Sequence, residues 1–520
     1  MSQDISVSSA EELKRRRARV EDGGRPESIR RQHDLGKLSA RERVDTLVDD
    51  GTFRELGMLA EPEEGSLGPD EIFAPRDGVI IGLGRIDGRR AAIMSFDFTV
   101  FGGTFGTTGA LKMTRCMELA RRYGVPMIMI FDGGGGRIQG ALESRHFAAG
   151  FEQFQYAVDL SGYVPLVTVV LGQGFGGPSN FASLADLVVM VRGMSTLGIA
   201  GPPLVRGATG EKLTNDELGG ADLQASLGLS DIVVDTEAEA FDAVRVFLGY
   251  LPSNSGEPPF VTDDEGASST AAEIRTMVPP DSRQSYDVRG VIDALVDSNT
   301  AFELRPSHAP NIVTSFARLG GRPVGVIANQ PLHLGGALDS WACEKAAHFI
   351  SMCDAFGVAL LFLVDIPGFL VGMESVTTQL VRRSGRIIFE LGEATVPRMS
   401  VVLRKGYGTG YIAMCGGRSF SADLALAWPT AEICTMAVEG AVDIAYRREI
   451  RAAQDPAARR AELIAGFRSR VDPFLAAQGF GLDDVVDPAE TRELLVDALR
   501  EAPCRRPPRA PYKRRGVSPI

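Results

Sequence analysis

The chain has 520 residues, of which 44% are hydrophobic and 23% are charged, and its formal net charge is −12. This length exceeds one ordinary hydrophobic core, so we expect two domains or more. The acidic balance argues against a general binder of nucleic acids or anionic membranes. No apolar stretch approaches the roughly 20 residues of a spanning helix, and the N-terminus lacks the apolar core of a secretory signal. We therefore expect a cytoplasmic protein without membrane association.

The predicted organisation follows from shifts in composition along the chain. In the N-terminal segment, Ser39 is expected to be a helix N-cap and Glu42 to complete a capping box. Turn formers and acidic residues concentrate near the middle of the chain, which indicates a linker. In chain order, we predict an N-terminal helical segment (1–60), an α/β domain (61–255), a linker (256–284), a second α/β domain (285–503) and a basic, proline-rich tail (504–520).

The two predicted domains are related by an internal duplication. The segment RIDGRRAAIMSFDFTVFGG (85–103) aligns with RLGGRPVGVIANQPLHLGG (318–336) at an offset of 318 − 85 = 233. After a one-residue slip, YVPLVTVVLGQGFGG (163–177) aligns with TVPRMSVVLRKGYGT (395–409). Each half repeats an apolar run, a glycine-rich turn, an amphipathic helix and another apolar run, which predicts βαβ units and parallel sheets.

Each half places two glycine-rich turns directly after buried strands: DGGGGR and GFGGPS in the first half, DIPGFLVG and GYGTGY in the second. Glycine lets a ligand approach the backbone closely, and N–H groups at such turns bind anions or a developing oxyanion. A nucleotide-phosphate loop is a poor fit, because neither G-x-x-x-x-G-K-[ST] nor G-x-G-x-x-G matches well. Plain strand-end turns are the alternative, and their repetition at matching places disfavours it.

Conventional catalytic side chains are hard to identify in this sequence. There is no G-x-S-x-G elbow and no H-E-x-x-H motif, and the five histidines show no acid–base pairing. His333 precedes a glycine turn and is of interest, whereas His348 fits a structural role on a helix. The six cysteines have no C-x-x-C pair, which excludes a zinc ribbon and argues against a disulfide framework. Turns that can hold an oxyanion, without an evident catalytic base, suit a substrate that becomes an enolate. The base would then arrive with a cofactor. A thioester is the natural candidate for such a substrate.

Five motifs resemble the signatures of the carboxyltransferase (β) subunits of biotin-dependent acyl-CoA carboxylases, and the propionyl-CoA carboxylase branch is nearest. They are SFDFTVFGGTFG, DGGGGRIQG, VDIPGFLVG, RKGYGTGY and AWPTAEICTMAVEGAVDI. The resemblance spans most of the chain and implies an α/β fold of two tandem crotonase-like (ClpP/crotonase) domains. It also implies a homo-hexamer in which carboxybiotin enters between the N-domain of one subunit and the C-domain of another.

The resemblance implies transfer of a carboxyl group from carboxybiotin to the α-carbon of an acyl-CoA through a thioester enolate. By motif, backbone amides of Gly134 and Gly135 hold the thioester oxygen, and those of Thr409 and Gly410 hold the ureido oxygen of biotin. The residues implied to line the substrate site are Gly136, Arg137, Phe175, Gly176, Gly177, Gly408, Tyr411 and Ile412. No metal is implied. Because the sequence has no biotin-acceptor motif, we expect the biotin on a separate α subunit that carries the carrier and biotin-carboxylase parts.

The turn motifs depart from the usual family patterns. Gly133 and Gly136 replace a serine and an alanine of the first motif, and Pro178 replaces an alanine of the second. Ile412 stands where short-chain carboxylases often have aspartate, and Thr409 is unfavourable if its backbone has a positive φ. Two alternatives stay open: a repurposed, biotin-independent acyl-thioester enzyme of the same fold, such as a carboxyacyl-CoA decarboxylase, and a non-catalytic assembly subunit. The sequence leaves the acyl group, the partner and the direction of the reaction open.

Overall fold

The computed structural model describes residues 2–63, 73–137 and 152–506. The chain divides into two compact units, Met1–Glu257 (unit 1) and Pro258–Ile520 (unit 2). Each unit is organised around one eight-stranded sheet. The boundaries given above for the shorter segments stay predictions.

The sheet of unit 1 begins with three antiparallel strands and is parallel in the rest of its length. Its described strands are β1 (Arg54–Leu56), β2 (Val79–Ile86), β3 (Arg89–Phe96), β4 (Thr104–Phe105), β5 (Met127–Gly133), β6 (Gly135–Gly136), β7 (Leu166–Phe175), β8 (Leu187–Val191), β9 (Thr196–Gly198) and β10 (Ile232–Val234). Strands β1, β2 and β3 pair antiparallel, and the sheet continues in parallel through β5, β7, β8 and β10. Strand β9 also pairs with β7, and β4 and β6 form a separate parallel pair.

The helices of unit 1 connect and cover these strands. Those described are α1 (Ser2–Val20), α2 (Pro26–Asp34), α3 (Ala40–Leu47), α4 (Thr107–Tyr123), α5 (Glu152–Leu160), α6 (Gly177–Ser183), α7 (Pro202–Thr209), α8 (Asn215–Gly219), α9 (Ala221–Leu227) and α10 (Glu237–Tyr250). Every residue of β5 is buried, as expected for a central parallel strand that is covered on both faces.

Unit 2 repeats this arrangement. Its described strands are β11 (Phe302–Leu304), β12 (Ile312–Leu319), β13 (Arg322–Asn329), β14 (Ala359–Ile366), β15 (Arg398–Tyr407), β16 (Leu424–Ala427), β17 (Glu432–Cys434) and β18 (Asp484–Val485). Strands β11, β12 and β13 pair antiparallel, and β14, β15, β16 and β18 follow in parallel. Strand β17 also pairs with β15.

The described helices of unit 2 are α11 (Ala271–Met277), α12 (Val288–Leu295), α13 (Ser340–Phe356), α14 (Met373–Thr377), α15 (Leu380–Glu393), α16 (Gly408–Ala413), α17 (Val438–Ala445), α18 (Arg447–Ala452), α19 (Pro456–Arg468), α20 (Pro473–Gln478) and α21 (Thr491–Glu501). Near the C-terminus, α19 and α20 are separate helices, because Asp472 caps a new helix that begins at Pro473. The predicted tail lies outside the described residues after Arg506.

The predicted duplication of an α/β domain is confirmed by these boundaries. Helix α13 begins at an offset of 340 − 107 = 233 from the start of α4, and both helices have 17 residues. Both end at a glycine in the left-handed conformation, Gly124 and Gly357, which is the common helix terminator because glycine has no Cβ to clash. Strand β15 begins at an offset of 398 − 166 = 232 from the start of β7. The one-residue slip therefore falls after the helix pair α4 and α13 and before the strand pair β7 and β15.

The predicted capping box at the start of α3 is also confirmed. The Ser39 hydroxyl accepts a hydrogen bond of 3.1 Å from the Glu42 N–H, and the Glu42 carboxylate accepts one of 2.7 Å from the Ser39 N–H. Val44 and Leu47 of this helix are fully buried, so the N-terminal segment is part of the core of unit 1. In the described part of the chain, no helix has both the length and the apolarity that are needed to cross a membrane.

Aspartates fix the starts of the central strands in both units. Asp186 precedes β8, and its carboxylate accepts a 2.8 Å hydrogen bond from the Leu166 N–H at the start of β7. Asp423 makes the same 2.8 Å bond to the Arg398 N–H at the start of β15. Asp423 also forms an ion pair with Arg506. Burial, and to a lesser extent the nearby Asp231, raise the pKa of Asp186 from 3.8 to about 7.

We expect the substitution Asp186→Asn to stabilise unit 1 at neutral pH. Because the pKa of Asp186 is higher in the folded chain than in the unfolded chain, the folded state binds its proton more tightly between these two values. The free energy of unfolding therefore falls as pH rises from about 4 to about 7, by up to about 4 kcal/mol, and the variant lacks this loss. Urea denaturation followed by circular dichroism between about pH 5 and pH 8 measures the difference.

The matched control is Asp423→Asn, which removes the ion pair with Arg506 and should destabilise unit 2 instead. A stability difference between Asp186→Asn and the parent chain that does not grow as the pH rises would contradict the assignment.

Candidate active site

The glycine-rich turns of unit 1 meet at one edge of its sheet. Strands β5 and β7 are parallel neighbours, and Gly133 is paired with Gly174 where they end. A Cβ built on Gly135 would lie 3.3 Å from Pro178 Cδ and 3.7 Å from the Gly177 nitrogen. The structure thus brings the predicted residues of the first turn against those of the second, with backbone facing backbone.

Two N–H groups at this contact are available to a ligand. Gly135 and Gly176 have φ values of +79° and +72°, a conformation that favours glycine. The Gly176 N–H donates to the Gly198 carbonyl at 3.0 Å. Within the described residues, the N–H groups of Gly134 and Gly177 have no hydrogen-bond partner, and Gly177 is the first residue of α6, where an N–H has no partner within the helix.

The second predicted set has the same setting in unit 2. Strand β14 ends at Ile366, which pairs with Gly406 of β15. A Cβ built on Gly410 would lie 2.7 Å from Ile366 Cδ1 and 3.1 Å from the Gly368 Cα. Thr409 and Gly410 belong to the first turn of α16, whose N–H groups lack partners within the helix. The strain considered for Thr409 does not arise, because Gly408 takes the positive φ of +62°.

Gly368 lies in the DIPGFLVG turn that the sequence marked, but it was not predicted to be a residue of the site. It corresponds to Gly135 at the offset of the duplication, 368 − 135 = 233, and that offset was the signal that could have identified it. By the same offset Gly134 corresponds to Pro367, and Gly410 corresponds to Pro178 at the offset of 232. Proline has no N–H. Unit 1 therefore lacks an N–H donor in its second turn, at Pro178, and unit 2 lacks one in its first turn, at Pro367.

Arg137 was predicted to bind substrate, and its guanidinium is used inside unit 1. Arg137 is 4% exposed; its Nη1 donates to Asp77 Oδ1 at 2.7 Å, and its Nη2 donates to the Thr104 carbonyl at 3.1 Å. The other oxygen of Asp77 accepts from the N–H groups of Gly106 and Gly109, at 3.1 and 2.8 Å. The pair therefore joins the first turn to the start of α4, and a contact of Arg137 with substrate stays a prediction.

The remaining predicted residues differ in how accessible they are. Gly136 is exposed, and Phe175 is buried against Gly198. The Tyr411 ring packs on Gly416, where an added Cβ would lie 2.2 Å from it, and burial raises the Tyr411 pKa to about 12. Ile412 is 44% exposed and is thus able to contact a ligand.

The histidines offer little acid–base chemistry at these turns. His348 is half-buried on α13, its Nε2 has no partner among the described residues, and desolvation lowers its pKa to about 3. It is therefore neutral near pH 7, in agreement with a structural role. His333 is exposed at the entrance to the turn Leu334–Gly336.

Comparisons with known proteins gave matches over nearly the whole chain. The profile of the carboxyl transferase domain matches residues 31–517. The propionyl-CoA carboxylase carboxyltransferase subunit of Haloferax mediterranei is 40% identical over 514 residues, which cover 98% of this chain and 99% of that protein. The methylmalonyl-CoA decarboxylase subunit alpha of Propionigenium modestum is 35% identical over 521 residues, which cover 99% of this chain and 100% of that protein. The crystal structure of the transcarboxylase 12S hexamer with methylmalonyl-CoA and methylmalonic acid bound matches with a TM-score of 0.93 at 38% identity, covering 98% of each chain.

We expect Arg137→Met to destabilise unit 1 by about 3 kcal/mol, because it leaves the Asp77 carboxylate buried without its cation. The matched control is Arg121→Met, which removes an exposed ion pair with Asp159 and should change stability by less than about 1 kcal/mol. Chemical denaturation of both variants measures the difference. A stable Arg137→Met protein with weaker substrate binding would instead assign Arg137 to the substrate site.

Proposed function

Since this chain belongs to the carboxyl transferase family and is therefore a transferase, we propose that it is the carboxyltransferase subunit of an acyl-CoA carboxylase. It moves a carboxyl group from carboxybiotin to the α-carbon of an acyl-CoA. The observation that carries the proposal is the close approach of the first turn at Gly135 to the second turn at Pro178, beside N–H groups of Gly134 and Gly177 that have no hydrogen-bond partner within the described residues.

The chemistry of the acyl-CoA follows from these donors. Removal of a proton from the α-carbon moves negative charge to the thioester oxygen, and N–H groups that are already in place stabilise that charge. The first turn, with Gly134 and Gly135, holds this oxygen, and the Gly177 N–H is a further donor. Each turn is anchored at the end of a buried strand, so the donors need little reorganisation when the charge develops.

Unit 2 has the features needed to hold the ureido oxygen of biotin. A Cβ on Gly410 would fill the space against Gly368, so a turn without side chains is needed there for a ligand to approach the N–H groups of Thr409 and Gly410. When bound, carboxybiotin would supply the carboxyl group and a base for the α-proton. The residues of unit 2 orient that group through hydrogen bonds from their backbone.

We propose that the biotin is carried by a separate biotinylated α subunit and that this chain assembles as a homo-hexamer. The solved relative is a hexamer at 38% identity over 98% of each chain, which supports the second part. That relative was solved with methylmalonyl-CoA bound, which supports a carboxyacyl-CoA as the product. The exposed Ile412 provides an apolar contact, so we assign the acyl group to a chain longer than propionyl.

A biotin-independent carboxyacyl-CoA decarboxylase is the second candidate. A relative at 35% identity is a methylmalonyl-CoA decarboxylase subunit, which supports decarboxylation of a carboxyacyl-CoA. The departures of the turns from the usual motifs at Gly133, Gly136 and Pro178 support chemistry without biotin. The same N–H groups would stabilise the enolate that forms when CO2 leaves a malonyl-type thioester.

The two candidates are separated by the need for biotin. We expect purified protein to release CO2 from malonyl-, methylmalonyl- and longer branched carboxyacyl-CoAs only when free biotin is added, because the carboxyl group needs an acceptor. Mass spectrometry of the thioester products measures this loss and the preferred chain length. Loss without biotin identifies the decarboxylase, and no loss from any thioester rejects both candidates.

We expect Gly134→Pro to lower turnover by roughly 10²-fold, because it removes one oxyanion N–H. The backbone should accept this change, since the equivalent position in unit 2 is Pro367. Gly134→Ala is the matched control: its Cβ would lie 3.5 Å from Thr104 Cγ2, an ordinary contact, and the N–H is kept. Equal turnover of a folded Gly134→Pro protein and the Gly134→Ala protein would remove this N–H from the mechanism.

A further inference from the structure

A buried carboxylate lies directly before the first glycine turn of unit 1. Asp132 has no exposed surface and is the second-to-last residue of β5. Lys37 Nζ contacts its two oxygens at 2.7 and 2.9 Å, and Arg43 Nη1 donates to Oδ2 at 2.8 Å. Gln32 Nε2 donates to the same oxygen at 3.2 Å. All of these donors belong to the N-terminal segment, between the end of α2 and α3.

Arg43 is held in place from its other side. Its Nε and Nη2 each donate to the Glu237 carboxylate at 2.9 Å, and Nη2 also donates to the Leu171 carbonyl at 2.9 Å. The cluster has two acids, Asp132 and Glu237, and two cations, Arg43 and Lys37. Its charges are balanced, which a buried group of this kind requires.

The hydrogen-bond ladder of the sheet is irregular at Asp132. Phe131 pairs with Val170, and Gly133 pairs with Gly174, so the register shifts between them. Asp132 has no partner in this ladder, as is usual where a strand has a bulge. The bonds of the Asp132 carboxylate therefore hold this residue where the ladder does not, between the paired residues Phe131 and Gly133.

In unit 2, different residues provide the cations for the corresponding buried carboxylate. Asp365, the counterpart of Asp132 at the offset of 365 − 132 = 233, is also fully buried before its turn. Its cations are Arg404, at 3.0 Å, and Lys405, at 3.5 Å, both from β15 of its own sheet. At the offset of 232, Arg404 corresponds to Gly172 of β7.

Gly172 shows why the cations of unit 1 come from elsewhere. A Cβ at this position would lie 1.9 Å from Asp132 Oδ1 and 2.5 Å from Lys37 Nζ. The space that the Arg404 side chain enters from its strand is occupied in unit 1 by residues of the N-terminal segment.

We propose that Lys37 and Arg43 are positioning residues for the oxyanion turn of unit 1, acting through Asp132. The proposal rests on the proposed function, because it gives this turn its ligand, the thioester oxygen. With the carboxylate held by both cations, the backbone from Asp132 to Gly135 keeps its orientation and the Gly134 N–H stays aimed at the ligand. Loss of Lys37 frees one side of the carboxylate, and a small displacement of the donor is enough to lower the rate.

The test replaces Lys37 with Met, which keeps the length of the side chain and removes the charge. We expect kcat to fall about tenfold or more with little change in the KM for biotin, because only the turn of unit 1 is displaced. We also expect amide hydrogen exchange at Phe131 and Gly133, the paired residues on either side of Asp132, to become about tenfold faster, with no change at Val364 and Ile366 of unit 2. Lys37→Arg, which keeps the charge, should restore both quantities.

Two further variants keep the test decisive. Lys14→Met removes an exposed lysine of α1 and should leave both measurements unchanged. If Lys37→Met does not fold, Gln32→Met removes a neutral donor to Asp132 and should give a smaller increase in exchange at the same turn.

Unchanged exchange at Phe131 and Gly133 in a folded Lys37→Met protein overturns the proposal. The same holds if Lys37→Arg fails to restore the exchange rate. If exchange responds as expected but the parent chain turns over none of the carboxyacyl-CoAs, the proposed function fails and the positioning role of Lys37 stands.

Discussion

Neighbouring parallel strands end at the same edge of a sheet, and this constraint brings the two glycine turns of each unit together. Gly135 faces Gly177 in unit 1, and Gly410 faces Gly368 in unit 2. In unit 2 this approach requires glycine, because a Cβ on Gly410 would lie 3.1 Å from the Gly368 Cα. In unit 1 a Cβ on Gly135 would lie 3.7 Å from the Gly177 nitrogen, which is an ordinary contact, and glycine is needed there for its positive φ of +79°.

The duplication has preserved this geometry while the two turns have diverged in their donors. Pro178 removes an N–H from the second turn of unit 1, and Pro367 removes one from the first turn of unit 2. Each unit keeps donors at the complementary place: Gly134 in unit 1 and Gly410 in unit 2. The two units are thus suited to different ligand oxygens, although their strands and principal helices correspond almost residue by residue.

The fold was predictable because its determinants are local or periodic. The capping box at Ser39 is set by side chains three residues apart, and the duplicated strands are visible as apolar runs at a constant offset. The site was predictable only where glycine motifs mark it. The pairing of Arg137 with Asp77 joins residues 60 apart in sequence, and no local pattern reports such a pair. The turn that contains Gly368 was marked, but its place in the site was not predicted, because the contact of Gly368 with Gly410 joins two different turns.

Glycine at position 172 has a consequence for how unit 1 tolerates substitution. A Cβ there would lie 1.9 Å from Asp132 Oδ1 and 2.5 Å from Lys37 Nζ, so a side chain at position 172 requires both groups to move. Loss of the lysine alone would leave Asp132 with one cation fewer in the interior, which is itself strongly unfavourable. A cation from β7 and a cation from the N-terminal segment are therefore alternatives, and neither converts into the other by one neutral substitution. The N-terminal helices are for this reason an integral part of unit 1.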